Sequence, residues 1–236
     1  MTRLQIECFS FWSPESSDPA RWSEHWSRDG AQRMEGDPDA SAVPAMQRRR
    51  MSRLSKMALA AALDATAGQS VDYSIFCSQH GELVRTRTIL SSMIEGVELS
   101  PTAFAQSVHN TSSGLFTVLA KSNASSTSIC AGANTFAYGW LEAQAYLSAN
   151  PKHRVLLVDF DEAIPQEYQA YSDQAVCDHA LALMIRVADE DGIAISRTAR
   201  GEDGDLPQGP LFLAWQQSDA TTLSSTAEGQ GWRWDR

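Results

Sequence analysis

The fold is decided by the stretch Ser125-Ser126-Thr127-Ser128-Ile129-Cys130-Ala131-Gly132, which leads into a helix-like run that continues to Leu147. A short β-prone strand ends in small residues and turns into a helix, with a cysteine at the bend. A thiol at a helix N-terminus is stabilised as the thiolate, which is the nucleophilic form. The pattern makes Cys130 a candidate nucleophile, and a small buried hydrophobic residue is the alternative.

The composition excludes several classes of function. The chain has 236 residues, of which 43% are hydrophobic, and a formal net charge of -10, which disfavours nucleic acid as a partner. No apolar run approaches the roughly 18 residues of a membrane span. Glu7 interrupts the N-terminal segment where a signal peptide would be apolar, so we expect a cytoplasmic protein.

The cysteines are widely spaced and form no Cys-x-x-Cys pair, which argues against a zinc site and against a disulfide framework. We therefore expect no metal and no cofactor. The four are Cys8, Cys77, Cys130 and Cys177.

Strands alternate with helices up to about residue 160, and strands then pair locally. The run Val155–Val158 is apolar throughout, as in a strand that is buried on both faces of a sheet. The pattern predicts an α/β fold with a mixed sheet covered by helices. The expected strands are 4–11, 71–78 and 154–160, and the expected helices are 46–65, 81–95 and 110–120, with Asn110 as an N-cap.

The second part of the chain is less regular. Residues 179–187 fit a helix or a strand, and the Asp191-Gly192 turn before 193–195 favours a hairpin. Residues 210–215 are expected to form the last strand. We expect one domain over 1–217, with an irregular insertion at 13–43 and a flexible tail of low hydrophobicity at 218–236.

A basic patch occupies the first turns of the predicted helix 46–65. Cations at a helix N-terminus oppose the helix dipole, so internal acids or an anionic partner must hold them, unless the patch is simply a solvated face. Its members are Arg48, Arg49, Arg50, Arg53 and Lys56.

Three segments resemble the N-terminal half of the β-ketoacyl synthase, or thiolase-like, fold. The basic and then Ala-rich stretch 48–59 is similar to the first helix of these enzymes. The stretch from Leu99-Ser100-Pro101 to Gly114-Leu115 looks like their interface segment, and 127–143 falls where their nucleophile elbow and helix fall.

A narrower group fits better. The segments 77–83 and 131–143 resemble short proteins with a β-ketoacyl synthase-like N-terminal domain, and the likeness covers roughly residues 1–217. Such proteins belong to aryl polyene and related type II polyketide or fatty acid pathways. The resemblance implies a chain-length-factor-like subunit that pairs with a full-length β-ketoacyl synthase and meets the acyl carrier protein that holds the growing chain.

The resemblance also implies that the chain has no activity alone. A ketoacyl synthase needs two histidines from the second half of its fold, and this chain is expected to end where that half would begin. His153 and His179 follow Cys130 but lie in no such motif, and His80 and His109 are better explained as structural imidazoles. A small inert residue is typical of the short group at the position of Cys130.

The resemblance assigns two further sets of residues. The expected dimer interface is the strand and helix beside the elbow: Asn110, Thr111, Ser112, Ser113, Gly114, Ser126, Thr127, Ser128 and Ile129. The expected wall of the acyl tunnel is Phe104, Phe116, Thr135, Phe136 and Tyr138, for which core packing is the alternative.

Two other functions remain open from the sequence. One is an active condensing or acyl-transfer enzyme that uses Cys130. The other is a homodimeric binding protein that keeps the thiolase fold without acyl chemistry.

Overall fold

The computed structural model describes residues 2–14, 36–172, 177–189, 191–199, 204 and 206–236. Most of the predicted insertion at 13–43 lies outside the described residues. Its last part, from 36, runs along the protein and buries Ala40 and Val43.

The main sheet has five strands in the order β1-β5-β4-β2-β3. β2 is parallel to β3 and β4, whereas β5 is antiparallel to β4 and β1, so the sheet is mixed as predicted. The strands are β1 (Leu4–Trp12), β2 (Tyr73–Cys77), β3 (Ser125–Ile129), β4 (Val155–Asp161) and β5 (His179–Val187). Every residue of β2 and β4 is buried, which agrees with the apolar run of β4.

Helices cover both faces of this sheet. One core joins the sheet to the helix that follows β1 and to the helix that precedes β3, and Phe76 and Phe116 meet in it. The other core contains Trp140, from the helix that follows β3, and Phe212. The helices are α1 (Ala45–Arg48), α2 (Arg53–Thr66), α3 (Leu83–Ile94), α4 (Pro101–Ala105), α5 (Thr111–Leu119), α6 (Thr135–Ala149) and α7 (Gln208–Gln216), with a 3-10 helix at Gln166–Tyr171.

The single helix predicted over 46–65 is two helices. The hydroxyl of Ser52 accepts a hydrogen bond from the backbone N–H of Ser55 at 2.9 Å, so Ser52 is the N-cap that starts α2. The arginines at 48–50 therefore precede the long helix. Asn110 is the N-cap residue of α5 as predicted, but its side chain makes no capping hydrogen bond.

A second sheet, β6-β8-β7, corrects the predicted course after residue 190. Ile193 bridges to Leu4, and β6 (Ala194–Thr198) pairs with β8 (Gln230–Asp235) rather than with β5, so the predicted hairpin is wrong. Residues 210–215 are helical in α7, where Pro210 is accommodated in the first turn, which has no intrahelical N–H bonds to lose.

The predicted flexible tail is also wrong. Residues 222–235 form an antiparallel hairpin of β7 (Thr222–Ala227) and β8, because Trp232 and Trp234 on one face of β8 are buried against α6 and α7. The turn of this hairpin lies at the start of α6.

Candidate functional site: the elbow between β3 and α6

β3 is an edge strand, and among the described strands its only partner is β2. Ile129 directs its carbonyl to β2, where it accepts from Ser78 N–H at 3.2 Å. Since backbone groups of alternate residues point to opposite sides of a strand, Ser126 and Ser128 turn their N–H and C=O groups to the open edge. The strand is thus a template for pairing with another chain.

The small residues of α5 are used within the protein. Thr111, Ser112 and Ser113 are buried, and the hydroxyls of Ser112 and Ser55 lie 3.2 Å apart, so this face packs on α2. Ser113 donates to the hydroxyl of Ser126 at 3.0 Å. The expectation that these three residues form an open interface needs correction, and only Asn110 and Gly114 of that stretch are exposed.

Cys130 lies at the bend between β3 and α6, as the sequence predicts. Its side chain is exposed, and its sulfur donates to the carbonyl of Gln79 at 3.1 Å. The next residues do not enter the helix at once: Gly132 has a φ of 57°, and α6 begins only at Thr135. The thiol is therefore separated from the helix N-terminus that would activate it.

The elbow is closed by its own backbone and one hydroxyl. Thr135 Oγ1 accepts from Ala131 N–H at 2.9 Å and donates to the carbonyl of Gly132 at 2.6 Å. Thr135 is buried and its hydroxyl is used in this turn, and its expected place in a tunnel wall stays a prediction.

The loop after β2 supports the elbow from below. Asp161 at the end of β4 accepts from Ser78 Oγ at 2.8 Å and from the backbone N–H of Gln79 at 2.9 Å and His80 at 3.2 Å. The carboxylate thereby holds Gln79 in place, and the carbonyl of Gln79 accepts the hydrogen bond from the Cys130 thiol. Sequence reasoning missed Asp161, although its place at the end of a buried strand was a signal.

The C-terminal hairpin covers the other side of the elbow. Asn134, which is fully buried, donates to the carbonyl of Ala227 at 3.1 Å and accepts from the indole N–H of Trp232 at 2.8 Å. Glu228, at the hairpin turn, accepts from Ala133 N–H at 3.2 Å. Gln208 of α7 accepts from Ala137 N–H at 3.1 Å, so the first turn of α6 is capped by later segments of the chain.

A buried ion pair lies at the same end of the sheet. His179 Nε2 is 3.1 Å from Asp159 Oδ2, and Cys177 lies beside the other ring nitrogen. Burial raises the pKa of Asp159 above its usual range. Burial lowers the pKa of His179, but the contacts with Cys177 and Asp159 raise it by more, so the pKa lies well above its usual value of 6.5. We assign the raised value of His179 to Asp159, because burial raises the pKa of the Cys177 thiol and keeps it neutral.

None of the described histidines makes a hydrogen bond with the Cys130 thiol. His109 contacts the carbonyl of Ser78 at 2.8 Å, and His153 contacts the hydroxyl of Tyr146 at 2.9 Å. His80 Nε2 is buried without a hydrogen-bond partner among the described residues. The contacts of His109 and His153 agree with structural roles for these two imidazoles.

The aromatic residues expected to form a tunnel wall do not meet. Phe116 and Phe136 are buried in the two different cores of the main sheet, so both are corrected to packing residues. Tyr138 is partly buried and donates to Gln230 Oε1 at 3.1 Å, next to Trp232. Phe104 is 65% exposed on α4 and is available to a partner.

The basic patch is divided between structure and surface. Arg53 is paired with Asp178 and bonded to the carbonyl of Gly36, so it belongs to the interior. Arg49 and Arg50 are exposed and line a cavity of about 560 Å³ between α2, α3 and α4. Lys56 is half-buried on α2, and Arg48 donates to the carbonyl of Ala40 at 3.1 Å.

Large apolar side chains are exposed on α3, on α5 and around α4. Ile94 is 87% exposed and Phe104 is 65% exposed. Single exposed apolar residues are common on protein surfaces, whereas groups of them mark interaction sites. The exposed apolar residues of these segments, called the exposed apolar cluster below, are Leu90, Met93, Ile94, Val97, Phe104, Val108 and Val118.

The family model described as beta-ketoacyl synthase, N-terminal domain, matches residues 21–235. The chain belongs to this family. Its fold is thiolase-like, as its solved neighbours also show. No curated protein matches the chain.

Solved structures add three comparisons. A chain from the complex of the ketosynthase ApeO with its chain length factor ApeC, from Xenorhabdus doucetiae, is 29% identical with a TM-score of 0.86, and 100% of each chain is covered. The ishigamide ketosynthase/chain length factor is 14% identical with a TM-score of 0.59, over 85% of this chain and 68% of that one.

The third comparison is the AntDE:AntF complex, a type II polyketide synthase acyl carrier protein with its ketosynthase bound to the hexaketide. It is 11% identical with a TM-score of 0.59, over 84% of this chain and 70% of that one. At these identities the last two structures share the fold alone.

Two further findings concern the described part of the chain. None of its helices is both long and apolar enough to cross a membrane. Within the same residues, no three His, Cys, Asp or Glu side chains are grouped as a metal site would need.

Proposed function

We propose that the chain is a non-catalytic, chain-length-factor-like subunit that pairs with a full-length β-ketoacyl synthase in aryl polyene-type polyketide biosynthesis. The observation that carries the proposal is the elbow: Cys130 sits at the family's nucleophile bend, but its thiol contacts a carbonyl and lies before the helix. Thioester chemistry needs donors aimed at the developing oxyanion. Among the described residues, no histidine bonds the Cys130 thiol.

The likeness to the ApeO–ApeC complex supports the chain-length-factor assignment. The matched chain in that complex and this chain cover each other completely, whereas this chain covers 68% and 70% of the matched chains in the other two structures. A subunit of the same extent as this one therefore exists in a complex named for a ketosynthase and its chain length factor.

The open edge of β3 is the proposed contact with the synthase. Its outward groups belong to Ser126 and Ser128, and the strand has no charged residue or proline that would block pairing. The exposed apolar cluster on α3, α4 and α5 supplies the hydrophobic area that a stable heterodimer buries. Phe104 in that cluster is the remaining candidate for the tunnel wall.

The exposed pair Arg49 and Arg50 is the proposed contact with acyl carrier protein. The chain carries a net charge of -10, so this local positive patch stands out against an acidic surface. An acidic carrier protein would be steered to such a patch by long-range attraction, and the effect would weaken with salt.

A proline at the open edge tests the pairing. Ser128→Pro removes an outward N–H, and Ser128 Oγ has no hydrogen-bond partner among the described residues, so little within the subunit is lost. We expect the variant to lose co-purification with its synthase by tenfold or more, since one blocked ladder bond also splays the strands (about 1.4 kcal/mol per factor of ten).

Ser128→Ala is the matched control, because it removes the same hydroxyl and keeps the N–H. Retention of the complex by Ser128→Ala and its loss in Ser128→Pro would support pairing through β3. Equal retention by both variants would contradict it. Product length from the assembled complex with Phe104→Trp, which should shorten the chain, tests the tunnel role separately.

A further inference from the structure

The hairpin turn between β7 and β8 places a carboxylate directly over the elbow. A Cβ built on Gly132 would lie 2.4 Å from Glu228 Oε1 and 2.5 Å from Oε2, so the carboxylate fills the space above this residue. The same carboxylate accepts the backbone N–H of Ala133 at 3.2 Å. Backbone donors before a helix form a site for negative charge, and here the chain supplies its own.

Glu228 holds this position in an unfavourable backbone conformation. Its φ is 47° and that of Gly229 is 74°, as in the tight two-residue turn that favours Asn-Gly. A residue with a branched or long side chain rarely adopts a positive φ. Glycine or asparagine would suit position 228 better for the turn alone, so the turn chemistry does not explain the glutamate, whereas the contact with Ala133 does.

Three hydrogen bonds hold the hairpin, and with it the Glu228 carboxylate, in position. Asn134 is bonded both to the carbonyl of Ala227 and to the indole of Trp232, and Tyr138 donates to Gln230. These anchors flank Glu228 on both strands and connect it to the first turn of α6.

We infer that the hairpin is a built-in cap: the Glu228 carboxylate occupies the backbone N–H of Ala133 and the space above Gly132, and it keeps an acyl thioester from approaching the elbow. The inference rests on the proposed function and deepens it, because it names the contact that keeps the elbow silent. This contact acts separately from the lack of a hydrogen bond between the Cys130 thiol and any histidine that the structure describes.

Alkylation of Cys130 in the isolated subunit tests the cap. The rates with neutral iodoacetamide and with anionic iodoacetate are resolved by peptide mass spectrometry, with Cys8 as the internal reference because it is partly exposed on β1. Glu228→Gly removes the carboxylate and suits the positive φ, so the turn should stay folded. Glu228→Gln keeps the size and removes the charge.

We expect the ratio of the Cys130 alkylation rate to the Cys8 alkylation rate to rise about fivefold in Glu228→Gly with both reagents. About fivefold is the factor by which one exposed hydrogen bond favours the closed position of the hairpin. Glu228→Gln should raise the ratio with iodoacetate much more than with iodoacetamide, and less at high salt. Asp219→Asn, which changes an exposed acid between α7 and β7, is the control and should change neither ratio.

An unchanged ratio in Glu228→Gly, with the urea midpoint of the wild type, would overturn the cap. That result would leave the proposed function intact if the wild type still forms a working complex with its synthase. Loading of an acyl group onto Cys130 of the wild-type subunit, from an acyl thioester and without a partner, would instead overturn the proposed function.

Discussion

Trp232→Phe, compared with Trp234→Phe, isolates the hydrogen bond that ties the C-terminal hairpin to α6. Both indoles lie on β8, with exposures of 1% and 0%. Trp232 donates to Asn134 Oδ1 at 2.8 Å, whereas Trp234 Nε1 is buried with no hydrogen-bond partner among the described residues. The two substitutions therefore remove similar apolar volume but only one hydrogen bond.

The expected difference follows from the burial of Asn134. Its side chain is fully buried, and the next donor, Gln208 Nε2, lies 3.5 Å from the same oxygen, too far to replace the indole. Leaving a buried acceptor without its donor costs about 1–3 kcal/mol. Trp234→Phe loses a comparable packing contribution and relieves an unsatisfied N–H.

We expect Trp232→Phe to lower the free energy of unfolding by about 1–2 kcal/mol more than Trp234→Phe. Urea unfolding followed by circular dichroism measures both variants under one set of conditions. Part of the difference belongs to Arg197, whose guanidinium stacks on the Trp232 ring at 4.6 Å. Equal destabilisation by the two substitutions, within about 0.5 kcal/mol, would refute the claim that the Asn134 bond fastens the hairpin.

Two other predictions concern the interior. The pKa of His179 is raised in the folded protein, so its ion pair stabilises the fold fully below about pH 6.5, and this contribution is lost as pH rises through the folded pKa. The urea midpoint of the wild type should therefore fall between pH 6 and 9, whereas that of His179→Asn should change little. Parallel curves for the two proteins would contradict the assignment. Gly139→Ala would place a Cβ 2.3 Å from Cys77 Sγ, so we expect it to lower the free energy of unfolding by about 1–3 kcal/mol. Adding Cys77→Ala should recover part of that loss. Strictly additive effects of the two substitutions on the free energy of unfolding would argue against the clash.

The first half of the fold could be predicted from local pattern. The apolar run at Val155–Val158 indicated a strand buried on both faces, and the structure confirms it as β4. The small residues around Cys130 indicated the elbow. Both features are short-range, because periodicity and turn residues alone determine them.

The second half depended on long-range contacts. Residues 210–215 are as apolar as a strand, and only their packing as α7 under Trp234 makes them helical. The tail 218–236 has a low average hydrophobicity, which led to the prediction of a flexible segment. The average does not reflect that Trp232 and Trp234 alternate with polar residues or that Glu228-Gly229 can form a turn. Those two signals together would have indicated a hairpin.

The candidate site was predictable in position but not in chemistry. The sequence pointed to Cys130 and to the edge of β3, but it could not show that the thiol faces the carbonyl of Gln79 or that Glu228 covers the elbow. These contacts span 51 and 95 residues of sequence, so no local pattern reveals them. The same reason explains why Phe116 and Phe136 were assigned to one wall although opposite faces of the sheet bury them.

Turnover of the reconstituted complex with and without Cys130 tests the central claim most directly. The chain is co-expressed with the ketoacyl synthase encoded nearest to it, isolated through a tag on either subunit, and supplied with carrier-bound acyl and malonyl groups. A stoichiometric complex in which Cys130→Ala elongates as fast as the wild type is the result that a non-catalytic subunit predicts. Loss of elongation in Cys130→Ala, with the complex still assembled, would contradict the account and place the condensing nucleophile in this chain.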